Sequence, residues 1–405
     1  MRRWSVVLCV ALLGVWATAV MAGEPPVPIE GRLLVSQGSW PYYMEGSSDN
    51  VVLLPFDGIQ ADISSLGDQV AYHVQTWVPS IHLPPGEVWK APLGGFSPVD
   101  LTGPLGLGGI SCKPLWSPDA SKIAFDHSDP APGQFPCYAG WHMWVMDADG
   151  SNAHEVLPGT PCTGLQSWAP NGYRLLGCAG GVPITVDTDG TNLQPVPNAG
   201  DWSPDGSKVV CSWTVEDTVN GQHGNWRQLV VSDIDGSSPE VVWQRFYSDA
   251  DLNAHLALYP DVQPANPFGD LLYWVGPSCQ IWSPTGDRIA FVAADPFDPA
   301  GCCYYAQDRV WVYELDTGDL TQLPGDGSGL WGLSWNGDNT LPTDTEVTVC
   351  NTTVTFSEVS APGVTTIIRD DDPPALPSGY QFCGEYYNIS TTAPHSGLIT
   401  VSMTS

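Results

Sequence analysis

Three kinds of residue in this chain could do chemistry. Carboxylates come in Asp-x-Asp-Gly strings at 147–150, 187–190 and 233–236, and paired carboxylates with turn carbonyls suit a hard cation such as calcium. The distal glutamate of an EF-hand loop is missing, so the strings read first as hairpin turns whose aspartates accept bonds from nearby backbone amides. Imidazoles are the second kind: His73, His82, His127, His142, His154, His223 and His255. They are scattered, and only a fold that returns the chain repeatedly to one centre would gather them around a metal. Aromatic faces are the third, with 18 tryptophans able to stack on the apolar faces of sugar rings. Strings that announce catalysis are missing: the sequence has no Gly-x-Ser-x-Gly, no His-Glu-x-x-His, no phosphate-binding loop and no Gly-x-Gly-x-x-Gly entering a helix. The balance is toward binding, with no catalytic residue to name and no cofactor needed beyond the calcium alternative.

The elements that position these residues must work in a strongly acidic chain. There are 13 Lys and Arg against 44 Asp and Glu, a formal net charge of −31. Nucleic acid is excluded as a partner because phosphate backbones are held by clustered cations, and anionic lipid surfaces are disfavoured likewise. Cations, neutral glycans and basic protein patches remain compatible. Arg2 and Arg3, the apolar run from Val6 to Val20 and the small residues of Val20-Met21-Ala22 read as an export leader over residues 1–22. No membrane span is expected after its cleavage, because Gly, Pro, Asp and Trp break every other apolar run. Of 11 cysteines Cys9 leaves with the leader, and the remaining even number suits disulfides in an oxidising compartment. Adjacent Cys302 and Cys303 and the lack of any Cys-x-x-Cys argue against zinc. A secreted, periplasmic or cell-surface bacterial protein is expected.

One pattern recurs. Trp116-Ser117-Pro118-Asp119-Ala120-Ser121-Lys122-Ile123-Ala124-Phe125 matches the strings that begin at Trp202 and Trp282, and a fourth copy begins at Trp168. A degenerate copy runs from Leu66 to Tyr72, and Trp335-Asn336-Gly337-Asp338 begins a last one. Proline presets the first central turn position, Asp or Asn tolerates the second, and glycine takes the positive-φ position. Strands with period two follow, and the Asp-x-Asp-Gly turns close a second hairpin in each unit, so each unit has the four strands of a propeller blade. The pattern resembles the PD40 repeat of TolB-like β-propellers over roughly residues 31 to 340. That resemblance implies an all-β, six-bladed ring. It implies less about function, since such propellers carry partner-binding proteins, peptidase regulatory domains and some polysaccharide lyases that hold a metal through histidines. The chain enters the repeat out of phase at Gly31–Val35, so Gly329–Trp335 is expected to supply the missing inner strand and close the ring.

The tryptophans at the repeat position, Trp116, Trp168, Trp202, Trp282 and Trp335, are expected to pack between blades. Trp40, Trp77, Trp141, Trp213 and Trp226 lie off that register. The step from Trp202 to Trp282 is 80 residues, against 34 and 53 on either side, and the surplus falls at about Gln244 to Ser278. Long inserts in compact repeats often carry function. Trp226, His255, Tyr259, Tyr273 and Trp274 are therefore the candidate ligand-binding residues. Past residue 340 the composition shifts to Thr, Val and Ser with alternating strands, which suggests a small β-sandwich at 341–405, pinned by Cys350 and Cys383 and cut short at Ser405. The expected protein is a noncatalytic propeller over 23–340 that binds a protein or glycan at a rim or at the channel mouth, the alternative being a metal-assisted polysaccharide lyase or hydrolase.

Overall fold

The computed structural model of the chain describes residues 27–37, 41–56, 58–74, 86–93, 97–128, 141–160, 163–251, 253, 278–295, 307–324, 330–336, 346–349, 352–360, 365–369, 387–391, 393 and 395–403. The export leader lies outside them. Four blades have four antiparallel strands each, in the chain order β3 (Ile59–Ile63), β4 (Gln69–Val74), β5 (Glu87–Pro92), β6 (Val99–Asp100), then β7 (Ile110–Trp116), β8 (Lys122–Ser128), β9 (Trp141–Asp147), β10 (His154–Glu155), then β11 (Thr163–Trp168), β12 (Arg174–Ala179), β13 (Val182–Asp187), β14 (Gln194–Pro195), then β15 (Asp201–Trp202), β16 (Lys208–Val219), β17 (Gln222–Asp233), β18 (Glu240–Ser248). A fifth is β19 (Ser278–Trp282), β20 (Arg288–Asp295), β21 (Gln307–Glu314), β22 (Leu320–Gln322).

The sixth blade closes the ring. β23 (Leu330–Asn336) pairs with β1 (Pro28–Gln37), which pairs with β2 (Tyr42–Leu53). Leu33 faces Trp335 and Val35 faces Leu333 in this register. The two chain regions share one core, where Leu33, Val35 and Met44 meet Ala290, Val312 and Trp335. Tying the ends of the ring into one sheet removes the edges that an open ring would expose.

The motif turn is built around its serine. Ser117, Ser203 and Ser283 are buried, and each hydroxyl accepts the amide five residues on, from Lys122, Lys208 and Arg288, at 2.9, 2.9 and 3.0 Å. Each also donates to a turn aspartate: Asp119, Asp205 or Asp287. The degenerate copy keeps the device, since Ser64 accepts from Gln69 and donates to Asp68. Gly172, Gly206 and Gly286 take φ of 76°, 74° and 76° at the turn's end, where Ala120 stands at 56°.

Beyond the ring, β24 (Glu346–Val349), β25 (Thr352–Val359) and β28 (His395–Met403) form one sheet, and β26 (Thr365–Arg369) and β27 (Tyr387–Thr391) another. Val354, Phe356 and Val359 of the first pack against Ile389 of the second, a small sandwich-like core.

Two expectations need correction. The surplus after Trp202 does not begin at Gln244: residues 244–248 belong to β18, and part of the extra length makes β16 and β17 twelve residues each. Nor do all ten cysteines serve as bridges, because Cys211 is a buried free thiol that donates to Val230 O at 3.7 Å. Cys350 and Cys383 lie outside the described residues.

Candidate functional site

Each blade's inner strand is the edge of its sheet and leaves one row of backbone groups facing the axis. Five of these strands break register, at Ile59/Asp62, Cys112/Leu115, Leu165/Ser167 and Ser278/Ile281, and in the β1–β23 pair at Ser36/Gln37. Bulges bend a strand and re-aim its side chains. In three of them a non-glycine residue is forced left-handed, Gln60 and Lys113 at 51° and Cys279 at 50°, a conformation that costs about 1–2 kcal/mol for an L-residue. The inner strands of all six blades surround one cavity of about 510 Å³, within the range of ligand pockets. It extends from the bulged residues to Pro118, Pro170, Pro204 and Pro284, and so toward the end of the ring that carries the motif turns.

Carboxylates and hydroxyls fasten neighbouring blades around this axis. Asp62 Oδ2 accepts the Trp116 amide at 2.6 Å, Asp126 Oδ1 the Leu165 amide at 2.8 Å and Asp201 Oδ2 the Trp282 amide at 3.0 Å. Ser334 Oγ accepts the Ile63 amide at 3.1 Å. Two of the motif tryptophans are latches as well as packing: Trp168 Nε1 donates to Leu115 O at 3.0 Å and Trp282 Nε1 to Asp201 O at 3.1 Å. Burial pushes Asp62 and Asp126 up to about 6, the latter against the pull of Lys113. Burial and repulsion from Asp62 push Asp201 up to about 7.

Among the described residues, three polar atoms on the cavity wall have no hydrogen-bond partner: Trp116 Nε1, Ser65 Oγ and Gln280 Oε1. Trp116 is only 6% exposed, and a buried unpaired donor costs about 1–3 kcal/mol. Donor and acceptors together, beside Gln60 and Gln166, suit a ligand that both gives and takes hydrogen bonds.

Of the residues singled out from sequence, Trp226 stands on β17, half-buried, its ring tilted against Phe246 at 5.3 Å between centroids and its indole donating to Asp217 at 3.0 Å. This is away from the cavity. His255, Tyr259, Tyr273 and Trp274 lie outside the described residues, as do His82, Trp40 and Trp77. The described histidines are dispersed. His73 is buried, neither ring nitrogen has a partner among the described residues, and burial lowers it to about 4. His127 faces Ser111 across the β7–β8 ladder at 3.0 Å, both fully buried, so this Ser–His pair offers no room to a substrate. His142 binds Glu155 at 2.7 Å, and His223 lies between Glu216 and Asp249 at 2.8 and 2.7 Å. None of them lines the cavity. Among the described residues no group of three His, Cys, Asp or Glu is placed to hold a metal ion. The Asp-x-Asp-Gly carboxylates point at donors rather than at a shared cation position: Asp147 accepts from Lys122 and Asn152, Asp149 from Ser151, Asp189 from Thr191 and Asp235 from Ser237.

Sequence reasoning missed Asp62, Asp201 and the bulged Gln60, Lys113 and Cys279. A signal existed for the position of Asp201, which like Ser167 and Ser334 directly precedes a motif tryptophan, whereas Asp62 precedes Ile63 and carries no such mark. The bulges carry no residue signature.

No family model matches the chain, and no curated protein matches it. Among solved structures it is similar to a TolB-type protein from Agrobacterium tumefaciens, at 16% identity over 75% of this chain and 93% of that one, TM-score 0.43. TolB from Acinetobacter baumannii is 12% identical over 75% of this chain and 66% of its own, TM-score 0.49. The β-propeller domain of the trilobed protease from Pyrococcus furiosus is 13% identical over 76% and 88%, TM-score 0.38.

Proposed function

We propose that the chain is an exported, noncatalytic binding propeller that takes a protein or glycan ligand at the channel mouth ringed by the motif turns. The observation that carries this reading is the cavity wall, where strained bulges and polar atoms without a partner among the described residues face one half-open space on the axis. Strain that persists inside an otherwise regular repeat is a pointer to function. Export rests on the leader, and no helix among the described residues is long and apolar enough to cross a membrane. The reading needs no cofactor.

The test is retention of labelled oligosaccharides and of labelled peptides by wild type and by Gln280→Leu, a near-isosteric change that removes an acceptor on the wall. Retention should fall about tenfold in Gln280→Leu, the size of one charge-neutral hydrogen bond or slightly more, with an unchanged melting temperature. Equal retention by both proteins would remove the ligand from the channel. A second reading, hydrolysis or lyase chemistry in the channel, is favoured by one observation: Asp62 and Asp201 share the cavity and burial raises the pKa of both, and a glycosidase pair needs one carboxyl held protonated as general acid beside a second that stays ionised. Against it, each already accepts the amide of a neighbouring blade.

A further inference from the structure

Blade four is built unlike the others. Its inner strand β15 is two residues long and pairs only Asp201 with Val210 and Trp202 with Val209, whereas β16 continues to Val219. β17 accompanies it to the tip and β18 as far as Ser248, so a three-stranded ribbon rises past the blade with one edge of β16 unpaired by any strand among the described residues. Residues 214–218 along that edge are all exposed. The Thr218 amide is taken by the Asp217 carboxylate at 2.7 Å rather than by β17, and strand alternation puts the amides of Thr214 and Glu216 on the same side.

The ribbon is held in one shape. Asn220 and Gly221, at φ of 51° and 80°, make the tight turn whose twist matches the strands. Gln228 binds Gln244 at 2.9 Å, Arg227 donates to Thr214 Oγ1, Trp226 packs at a tilt against Phe246, and His223 ties Glu216 to Asp249. Tyr247, with no exposure, and Arg227 are buried on the face that also carries Thr214 and Glu216. An exposed, preformed strand edge is a template for another strand, and most proteins cover or blunt such edges. Here a second copy is disfavoured, because it would bring its own Glu216 and Asp217 against the first in a chain of net charge −31.

We propose that the free edge of β16 receives an extended, lysine- or arginine-bearing segment of a partner protein as an added strand. Backbone groups of Thr214 to Thr218 would supply the ladder, and Glu216, Asp217 and Asp249 the charge selection. This rests on the binding reading above but uses a different place from the channel, so the two fail separately.

The probes are three labelled decapeptides: alternating Lys-Val-Thr-Val, the same with Glu for Lys, and the Lys peptide with a central proline. Fluorescence anisotropy and amide hydrogen exchange are read on the full mature chain. The Lys peptide should bind wild type at least tenfold more tightly than the other two and slow exchange at residues 214–218. Glu216→Gln should weaken it several-fold, Glu216→Pro about tenfold or more through the lost edge amide, and Gln280→Leu not at all. Binding without protection at 214–218, equal affinity for the Glu or proline peptide, or sensitivity to Gln280→Leu would each overturn the proposal. Should Glu216→Pro fail to fold, the exchange pattern of wild type decides.

Discussion

Trp282→Ala is expected to lower the free energy of unfolding by about 3–5 kcal/mol, the cost of truncating a buried tryptophan. Trp282 packs with Val210, Leu229, Ile289 and Phe291, so one residue joins the cores of blades four and five. Its indole N–H also donates to Asp201 O and its amide to the Asp201 carboxylate. Truncation would leave a cavity and strand the Asp201 carbonyl. Trp282→Phe keeps most of the apolar area and should cost about 1–2 kcal/mol, near the value of the lost hydrogen bond. Urea unfolding followed by circular dichroism measures both. A cost under 1 kcal/mol for Trp282→Ala would mean that the motif tryptophans do not hold the blades together.

The second large effect is on pH. Asp62, Asp126 and Asp201 have folded-state pKa values raised to about 6, 6 and 7, above the ordinary carboxylate value near 4 that applies in the unfolded chain. A raised acid binds its proton more tightly in the folded state, so the stability it contributes is full below about pH 4 and is lost as pH rises through 6 to 7. Each pKa unit is worth roughly 1.4 kcal/mol, so three acids together move stability by several kcal/mol. His73 acts oppositely: its folded pKa of about 4 makes its contribution full above 6.5 and lost as pH falls toward 4. It is one group against three. Turn aspartates such as Asp147, Asp149, Asp189 and Asp235, held below the usual carboxylate range by Lys122 and by turn hydroxyls, withdraw their contribution below about pH 4. The melting temperature should therefore peak near pH 5 and fall toward pH 8. In Asp62→Asn/Asp201→Asn the decline above pH 5 should shrink by more than half, because the amide oxygens still accept from Trp116 and Trp282 without a charge to bury. A wild-type profile that rises from pH 5 to 8 would contradict the assignment.

Much of the fold is legible in the chain because a propeller repeats its instructions. Trp-Ser-Pro-Asp-Gly specifies a turn through proline's φ, glycine's positive φ and a buried serine that satisfies the next strand, and six copies specify six blades. The phase of Gly31–Val35 foretells that Leu330–Asn336 completes its sheet. The site is less legible for physical reasons. Asp62 and Asp201 meet in the channel only because blades one and four face the same axis, a relation that no local spacing encodes. Gln60, Lys113 and Cys279 adopt a conformation that their residue types do not announce. The length of the ribbon was hidden for a third reason: β16, β17 and β18 are polar on their exposed stretch, so Gln244 to Ser248 reads as loop until Gln222–Asp233 is seen to pair with it.

The central claim is binding at the channel without turnover. The mature protein should be incubated with a panel of neutral and acidic polysaccharides, with and without EDTA, and both retained polymer and newly formed reducing or unsaturated ends scored in the same tubes. Retention lowered by Gln280→Leu, with no new ends in either condition, is the predicted result. New ends that accumulate with time and vanish in Asp62→Asn or Asp201→Asn, or on adding EDTA, would contradict it and make the channel an active site.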